Sequence, residues 1–227
     1  MSENARPTRK YDAPRRQAQA VRTRARIIEA ARLAFLERGY AGATIPQIAA
    51  DAGVAVETVY RSAAGKAGLL EAAVQAALAG GVERAAVPVE ERPAIRRVIE
   101  ETDPRRQLEA YAATQPGVWS RVGPLLRVLD AAATTDEALM ALRQHHGKQR
   151  WEGLRRFAAH LSEHGSLRRE LSVEKATDII WTVCGQANYD SLVIHRGWSH
   201  ADYEAWLAET LAHALLASPS GDASEHP

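Results

Sequence analysis

Between Gly53 and Lys66 the sequence VAVETVYRSAAGK gathers side chains that recognise other molecules rather than fill cores. Val59, six residues after Gly53, points inward and takes the one core position of this run. With Val59 buried, Val56, Glu57, Thr58, Tyr60 and Arg61 cannot all be core, so most of them face outward from one short helix. A hydroxyl or a phenol can hold a phosphate oxygen, while a hydroxyl, an acid or a methyl can meet base edges in the major groove of DNA. Gly65 and Lys66 then open another helix, whose free N–H groups and ammonium can hold a further phosphate. The same spacing would also fit a plain helical hairpin with a solvated second helix, so the neighbouring elements have to decide.

Those neighbours form a frame. Thr44 is a good helix cap, with Gln47 where a capping box places its return hydrogen bond. Ile48, Ala49 and Ala52 make one apolar face before Gly53 breaks the helix. Ala49, Gly53 and Val59 have the spacing of a helix-turn-helix over about 44–63: a small residue for close approach, a glycine for the turn, an aliphatic lock for the second helix. Upstream, Ile27, Ile28, Ala31, Ala34 and Phe35 form a helical stripe ended by Gly39. No segment alternates with period two for long enough to make a strand, so the expected fold class is all-α, with an amino-terminal three-helix helix-turn-helix domain and, after it, a helical domain expected to bind a ligand and dimerise.

Further along, Asp103 before Pro104 predicts a capped helix start, and Thr134 with Glu137 and Ser199 with Asp202 resemble capping boxes. Ser172 caps a long segment expected to run to about His195 and to close at Gly197. Gly80, Gly81, Pro88 and Pro93 mark a boundary at 80–103 with room for a short helix around Ala94–Glu101. The expected domains are a basic flexible arm at 1–20, a DNA-binding domain at 21–81, an effector-binding and dimerisation domain at 82–217, and a disordered tail at 218–227.

Charge agrees with a polyanion partner. Net charge is only +1, yet residues 1–84 carry 13 Lys/Arg against 8 Asp/Glu, and residues 85–227 carry 16 against 20. Eight of the basic residues precede Ile27, a run suited to a polyanion or, alternatively, to a solvated terminus. The single Cys184 excludes an intramolecular disulfide framework, so a reducing cytoplasm is the expected location. The polar first twenty residues hold no signal-peptide core, and Ile179–Cys184 is too short to span a bilayer.

On RIIEAARLAFLERGYAGATIPQIAADAGVAVETVYRSAAGKAGLL, residues 26–70, the chain resembles the TetR family of bacterial transcriptional regulators. Phe35, Gly39 and Tyr40, the Thr44 cap, the Ala-Gly-Val turn and the Thr58-x-Tyr60 pair carry the resemblance. LVIHRGWSHADYEAWLAETL is similar to the last two helices of one branch of the family. The resemblance implies a homodimeric repressor of a double-stranded DNA operator with no cofactor; the length beyond the DNA-binding part and its aromatic residues point to release by a small apolar or aromatic effector. Together with the side-chain chemistry it implies DNA contacts by Thr44, Val56, Glu57, Thr58, Tyr60, Arg61 and Lys66, aided by Arg22 and Arg24. The sequence departs from the family's pattern at Ala55, which cannot cap the recognition helix, at Val56, where a polar residue is common, and at Ser62-Ala63 and Gly65.

The rest of the chain supplies expected sites for the other two tasks. Tyr111, Trp119, Leu126, Met140, Phe157, Trp181 and Cys184 are the candidate effector walls, rigid aromatics mixed with adaptable sulfur. Ile179, Ile180, Val183, Ala187 and Leu192, with Trp206, Leu207, Leu211 and Leu215, are the candidate dimer interface, two helices from each subunit. Catalysis is not expected, since nucleotide-binding glycine loops, G-x-S-x-G and H-E-x-x-H are all missing from the sequence. His160 and His164 stand at the i, i+4 spacing of a chelate, but no cysteine or carboxylate cluster joins them, so no metal is expected.

Overall fold

The computed structural model describes residues 13–217; the expectations for residues 1–12 and 218–227 lie outside the described residues. Among the described residues the regular elements are helices, with no strand beyond an isolated bridge between Leu167 and Leu216. Helix α1 (Ala13–Gly42) begins inside the stretch expected to be a flexible arm. Its alanines, glutamines and arginines, QAQAVRTRAR, are all strong helix formers. Gly39, at φ 66°, ends its regular part and lets Tyr40 fold back onto Phe35, their rings 5.9 Å apart.

Helix α2 (Ile45–Asp51) starts at Thr44, whose hydroxyl accepts from the Gln47 N–H. The return bond expected of Gln47 is not made; its amide instead donates to Asp51 one turn on, at 2.9 Å. Gly53 turns at φ 61°, the Val54 N–H reaches the Ala49 carbonyl at 3.0 Å, and α3 (Val56–Ser62) follows. Ala49 and Val59 are each 1% exposed, so both halves of the turn are locked into the α1 core. Helix α4 (Gly65–Ala79) contributes Leu69, Leu70, Ala73 and Val74 to that core and ends at Gly80 in the left-handed conformation.

The boundary region holds α5 (Val82–Ala85), a 3-10 turn at Val89–Glu91 and α6 (Pro93–Glu100), close to the short helix expected. Then come two long helices, α7 (Pro104–Ala132), capped by Asp103, and α8 (Glu137–Glu163). The cap of α8 is Asp136 and not Thr134: a carboxylate one residue before the helix reaches both the Ala138 and Leu139 N–H groups, which Thr134 is too far back to do.

The long segment expected from Ser172 to His195 is broken. Helix α9 (Val173–Val183) stops before an extended Gly185, and α10 (Gln186–Tyr189) runs into a π-helical turn at Asp190–His195. A Cβ on Gly185 would sit 3.1 Å from the Thr182 carbonyl, so glycine fits the break. Side chains take over the carbonyls that the break exposes: Asn188 donates to Thr182 and Val183, and Arg150 of α8 to Trp181 and Cys184. Helix α11 (His200–Leu215), capped by Ser199, packs along α7.

Candidate functional site

Three surfaces bear on function, and the first is the outer face of the helix-turn-helix. Arg26 of α1 clamps the turn, its guanidinium donating to the Ala52 and Gly53 carbonyls, and Arg24 bonds the Ser62 carbonyl at the end of α3. Arg24, expected as a DNA contact, is exposed with its guanidinium bonded to the Ser62 carbonyl; Arg26, counted with the basic run before Ile27, was not anticipated as a clamp. The available signal was its place beside Ile27 on the edge of the core stripe. Arg22 is exposed on α1.

On the clamped α3, Glu57 and Arg61 are exposed, Tyr60 is 58% exposed, and Thr58 is half-buried with its hydroxyl accepting from Arg61 at 3.2 Å. Val56 is half-buried against the domain core, and Ala55 gives α3 no side-chain cap. Thr44 stands exposed at the start of α2. Lys66 lies 4.5 Å over the Tyr40 ring and donates to the Ala41 carbonyl at 3.2 Å; partial burial holds its ammonium below the ordinary lysine value. The fold therefore brings Thr44, Glu57, Thr58, Tyr60, Arg61 and Lys66 to the turn and the two helix starts beside it.

The second surface is internal. Five of the candidate effector residues converge where α7, α8 and α9 meet α11. Tyr111 and Phe157 rings lie 4.9 Å apart, and the Arg150 guanidinium stacks between Trp119 at 5.5 Å and Trp181 at 4.2 Å. Cys184 is fully buried beside them, and burial pushes its thiol up to about 12, against the opposing charge of Arg150. Burial likewise raises the Tyr111 and Tyr203 phenols well above their usual range.

Two residues expected in this group are placed elsewhere. Met140 is 44% exposed on the first turns of α8, because Leu139 beside it takes the inward position. Leu126, two turns beyond Trp119 on α7, packs half-buried at the core edge and shares none of these contacts. Arg150 and Tyr203 were missed. Yet Arg150 lies in register with Leu154, Phe157, Ala158 and Leu161, so a cation interrupting an apolar stripe was visible.

The third surface is the outer side of the carboxy-terminal helices. Ile180, Leu207, Leu211 and Leu215, expected at the dimer interface, are each 0% exposed and belong to the protomer's own core, sealed by α7 and α9. Left outward are half-buried Ile179, Val183, Leu192 and Trp206 and exposed Ala187. Ile194, 56% exposed, and Trp198, set edge-on to Trp206 at 6.5 Å, extend this patch.

Among the described residues no three His, Cys, Asp or Glu side chains are grouped to hold a metal, and no helix is long and apolar enough to cross a membrane. The His164 Nδ1 is engaged with the His160 carbonyl of its own helix at 2.8 Å.

Residues 27–73 match the family model of bacterial regulatory proteins of the tetR family. No curated protein matches the chain by sequence. Among solved structures it is similar to a candidate TetR-family transcriptional regulator from Mesorhizobium loti, with 19% identity, TM-score 0.67, and 86% of this chain and 96% of that one covered. FadR from Bacillus subtilis, solved with stearoyl-CoA, is 18% identical with TM-score 0.64 over 82% of this chain and 96% of its own. NalD, the secondary repressor of the MexAB-OprM multidrug efflux pump in Pseudomonas aeruginosa, is 18% identical with TM-score 0.63 over 86% and 97%. At such identities these likenesses bear on the fold, and the match over α1 to α4 bears on the domain that reads DNA. Residues 27–73 thus form a DNA-binding domain of the tetR-family type, and the helices beyond it share the fold of these solved regulators.

Proposed function

We propose that the chain acts as a homodimeric repressor that sets two α3 helices into successive major grooves of a pseudo-palindromic operator, half-sites ~34 Å apart, and leaves when an effector binds. The observation that carries this is the state of α3. Its turn is held by Arg26 and its far end by Arg24, while outward Glu57 and Tyr60 have no protein partner among the described residues.

In this assignment Thr44, Tyr60 and Lys66 contact phosphates. Glu57 and Thr58 meet base edges, Glu57 accepting from a cytosine amine and the edge of Val56 touching a thymine methyl. Arg61 and Arg22 add cationic contacts, and Arg24 adds its field from the end of α3. The two subunits join through Ile179, Val183, Ala187, Leu192 and Trp206 with Ile194 and Trp198, forming a bundle of carboxy-terminal helices.

The effector is a small molecule with an apolar or aromatic body, held among Tyr111, Trp119, Phe157, Trp181 and Cys184. The stearoyl-CoA held by FadR and the repressor role of NalD support these two parts by likeness of fold. Coupling runs through α7, where Arg121 donates to the Ala77 carbonyl at 3.1 Å near the end of α4. A coupling of ~1–3 kcal/mol would change operator affinity some 5–150-fold. A mobility shift on the DNA upstream of the protein's own gene, with excess unrelated duplex as competitor, tests the reading. A shift that the unrelated duplex abolishes equally well would overturn it.

A further inference from the structure

We propose that the Arg150 centre is a carboxylate subsite: the effector is a monoanionic organic acid whose apolar body packs on the aromatic walls and whose carboxylate meets the Arg150 guanidinium. The proposal rests on the effector-domain reading above. Three observations carry it. Arg150 sits among Trp119, Trp181, Tyr111, Cys184 and Tyr203, and no carboxylate among the described residues faces it. Burial lowers its pKa, and the charges that oppose this come from Tyr111, Cys184 and Tyr203, all of which are neutral at physiological pH.

Second, only one arm of the fork is used. Nη2 donates to the Trp181 and Cys184 carbonyls at 3.1 and 3.0 Å, and the remaining N–H groups have no partner among the described residues. A planar guanidinium with free donors is suited to a two-oxygen acid.

Third, two polar atoms in the same centre are buried and unpaired. Trp119 is 5% exposed and its Nε1 has no partner; Tyr203 is 0% exposed and its hydroxyl has none. Buried polar groups are ordinarily satisfied, and an orphan needs a reason. One cation and two neutral donors match a single negative charge carried on two oxygens. A phosphate dianion would exceed the charge available.

The alternative is that Arg150 only caps the end of α9. The experiment separates them. The full-length protein is titrated with decanoate, phenylacetate and 1-naphthoate, and with the corresponding neutral primary amides, by calorimetry and tryptophan fluorescence. Inorganic phosphate and decyl phosphate form the dianion arm. The expected result is a preference of about tenfold or more for at least one acid over its amide, the scale of a charge-assisted hydrogen-bonded pair.

Tyr203→Phe and Trp119→Phe delete one orphan donor each while keeping a ring. Each should cost that acid about fivefold or more and cost the amide less, so that the acid-over-amide ratio falls. Tyr203→Phe should not lower the Tm of the free protein, since it removes an unsatisfied group and keeps the ring, whereas Trp119→Phe also shrinks a buried ring and is expected to lower it. Arg150→Gln should abolish the preference, and Arg150→Lys should retain part of it.

Equal affinity for acid and amide, no acid binding up to about 10 mM, preference for the dianion, or acid preference intact in Tyr203→Phe and Trp119→Phe would each overturn the proposal. An operator shift run beside the titration keeps the two readings apart. An acid that binds with the expected preference yet leaves DNA affinity unchanged sinks effector release and leaves the subsite standing.

Discussion

Lys66 shows how a single side chain can be both structural and functional. In the free protein its ammonium rests on the Tyr40 ring and the Ala41 carbonyl, contacts that keep it at the start of α4. A phosphate arriving there would replace a neutral carbonyl by an anion and restore the pKa that burial has lowered. Lys66→Ala should weaken binding to operator and random duplex alike and reduce the salt slope by about one, measured by anisotropy against salt. A change of base preference at one position would instead make Lys66 a reader of sequence. His146 carries a different prediction. Its Nε2 is buried without a partner, and burial lowers its pKa from 6.5, opposed by Glu71 of α4 and reinforced by neighbouring His145. The unfolded chain then binds more protons than the folded one below about 6.5, so stability is full above that pH and declines as pH falls through it. His146→Gln should flatten the Tm against pH between 7 and 5 relative to the parent; an unchanged acid slope would place the titration elsewhere.

Helix α3 is the element most exposed to a missing local signal. Ala55 holds the extended conformation of a cap residue, φ −69° and ψ 149°, but offers no oxygen to the first N–H groups. Ala55→Ser should stabilise the protein by ~0.5–1 kcal/mol, seen as a higher Tm, because the backbone already suits the cap. No change in Tm would mean those N–H groups are well solvated already. The same local logic explains what could be read from the sequence. Thr44, Asp103, Ser172 and Ser199 are caps whose acceptor and donor lie within three residues, so each was legible without a fold. In ATTDEAL three polar residues, Thr134, Thr135 and Asp136, compete for one cap, and only the geometry of the loop selects Asp136. The end of α9 was illegible for a different reason. A lone Gly185 in an apolar run reads as a tolerated residue, while the guanidinium that satisfies the broken end comes from α8, more than thirty positions away. The helix-turn-helix was the clearest part, since Ala49, Gly53 and Val59 act on one another across ten residues. The cluster around Arg150 was half legible: its aromatic residues stood out, and Arg150 showed as a cation in an apolar stripe, but its stacking on Trp119 and Trp181 needed the fold.

At the scale of the whole molecule, α7 touches everything that has to communicate. Arg121 holds the end of α4, Arg127 pairs with Asp190 of the π-helical turn at 3.0 Å, and Gln186 reaches the Gly123 carbonyl at 3.1 Å. Arg121→Ala should leave effector affinity within about twofold but shrink the effector-dependent loss of DNA binding, since the coupling is a difference between states and not a property of either site. An undiminished loss would route the coupling around this bond. Assembly is the remaining requirement, and apolar periodicity alone could not divide α9 and α11 between core and interface. Burial makes the division: Ile180, Leu207, Leu211 and Leu215 are spent on the protomer, while Ile194 and Trp198 stay in solvent beside Trp206 and Leu192. A contiguous apolar patch of that kind is costly to leave wet and marks an association surface. If a second copy meets this patch about a two-fold axis, as proposed, a carboxylate placed on it would be a buried charge with no partner. Ile194→Glu, at a position with no share in the protomer's core, should therefore yield a folded monomer with unchanged helical content. Its operator affinity should fall by orders of magnitude, because each half-site is then bound alone. Sedimentation equilibrium at micromolar concentration gives the mass directly: a parent protein that is already monomeric would overturn the homodimer, and an Ile194→Glu variant that remains dimeric would move the interface off this patch.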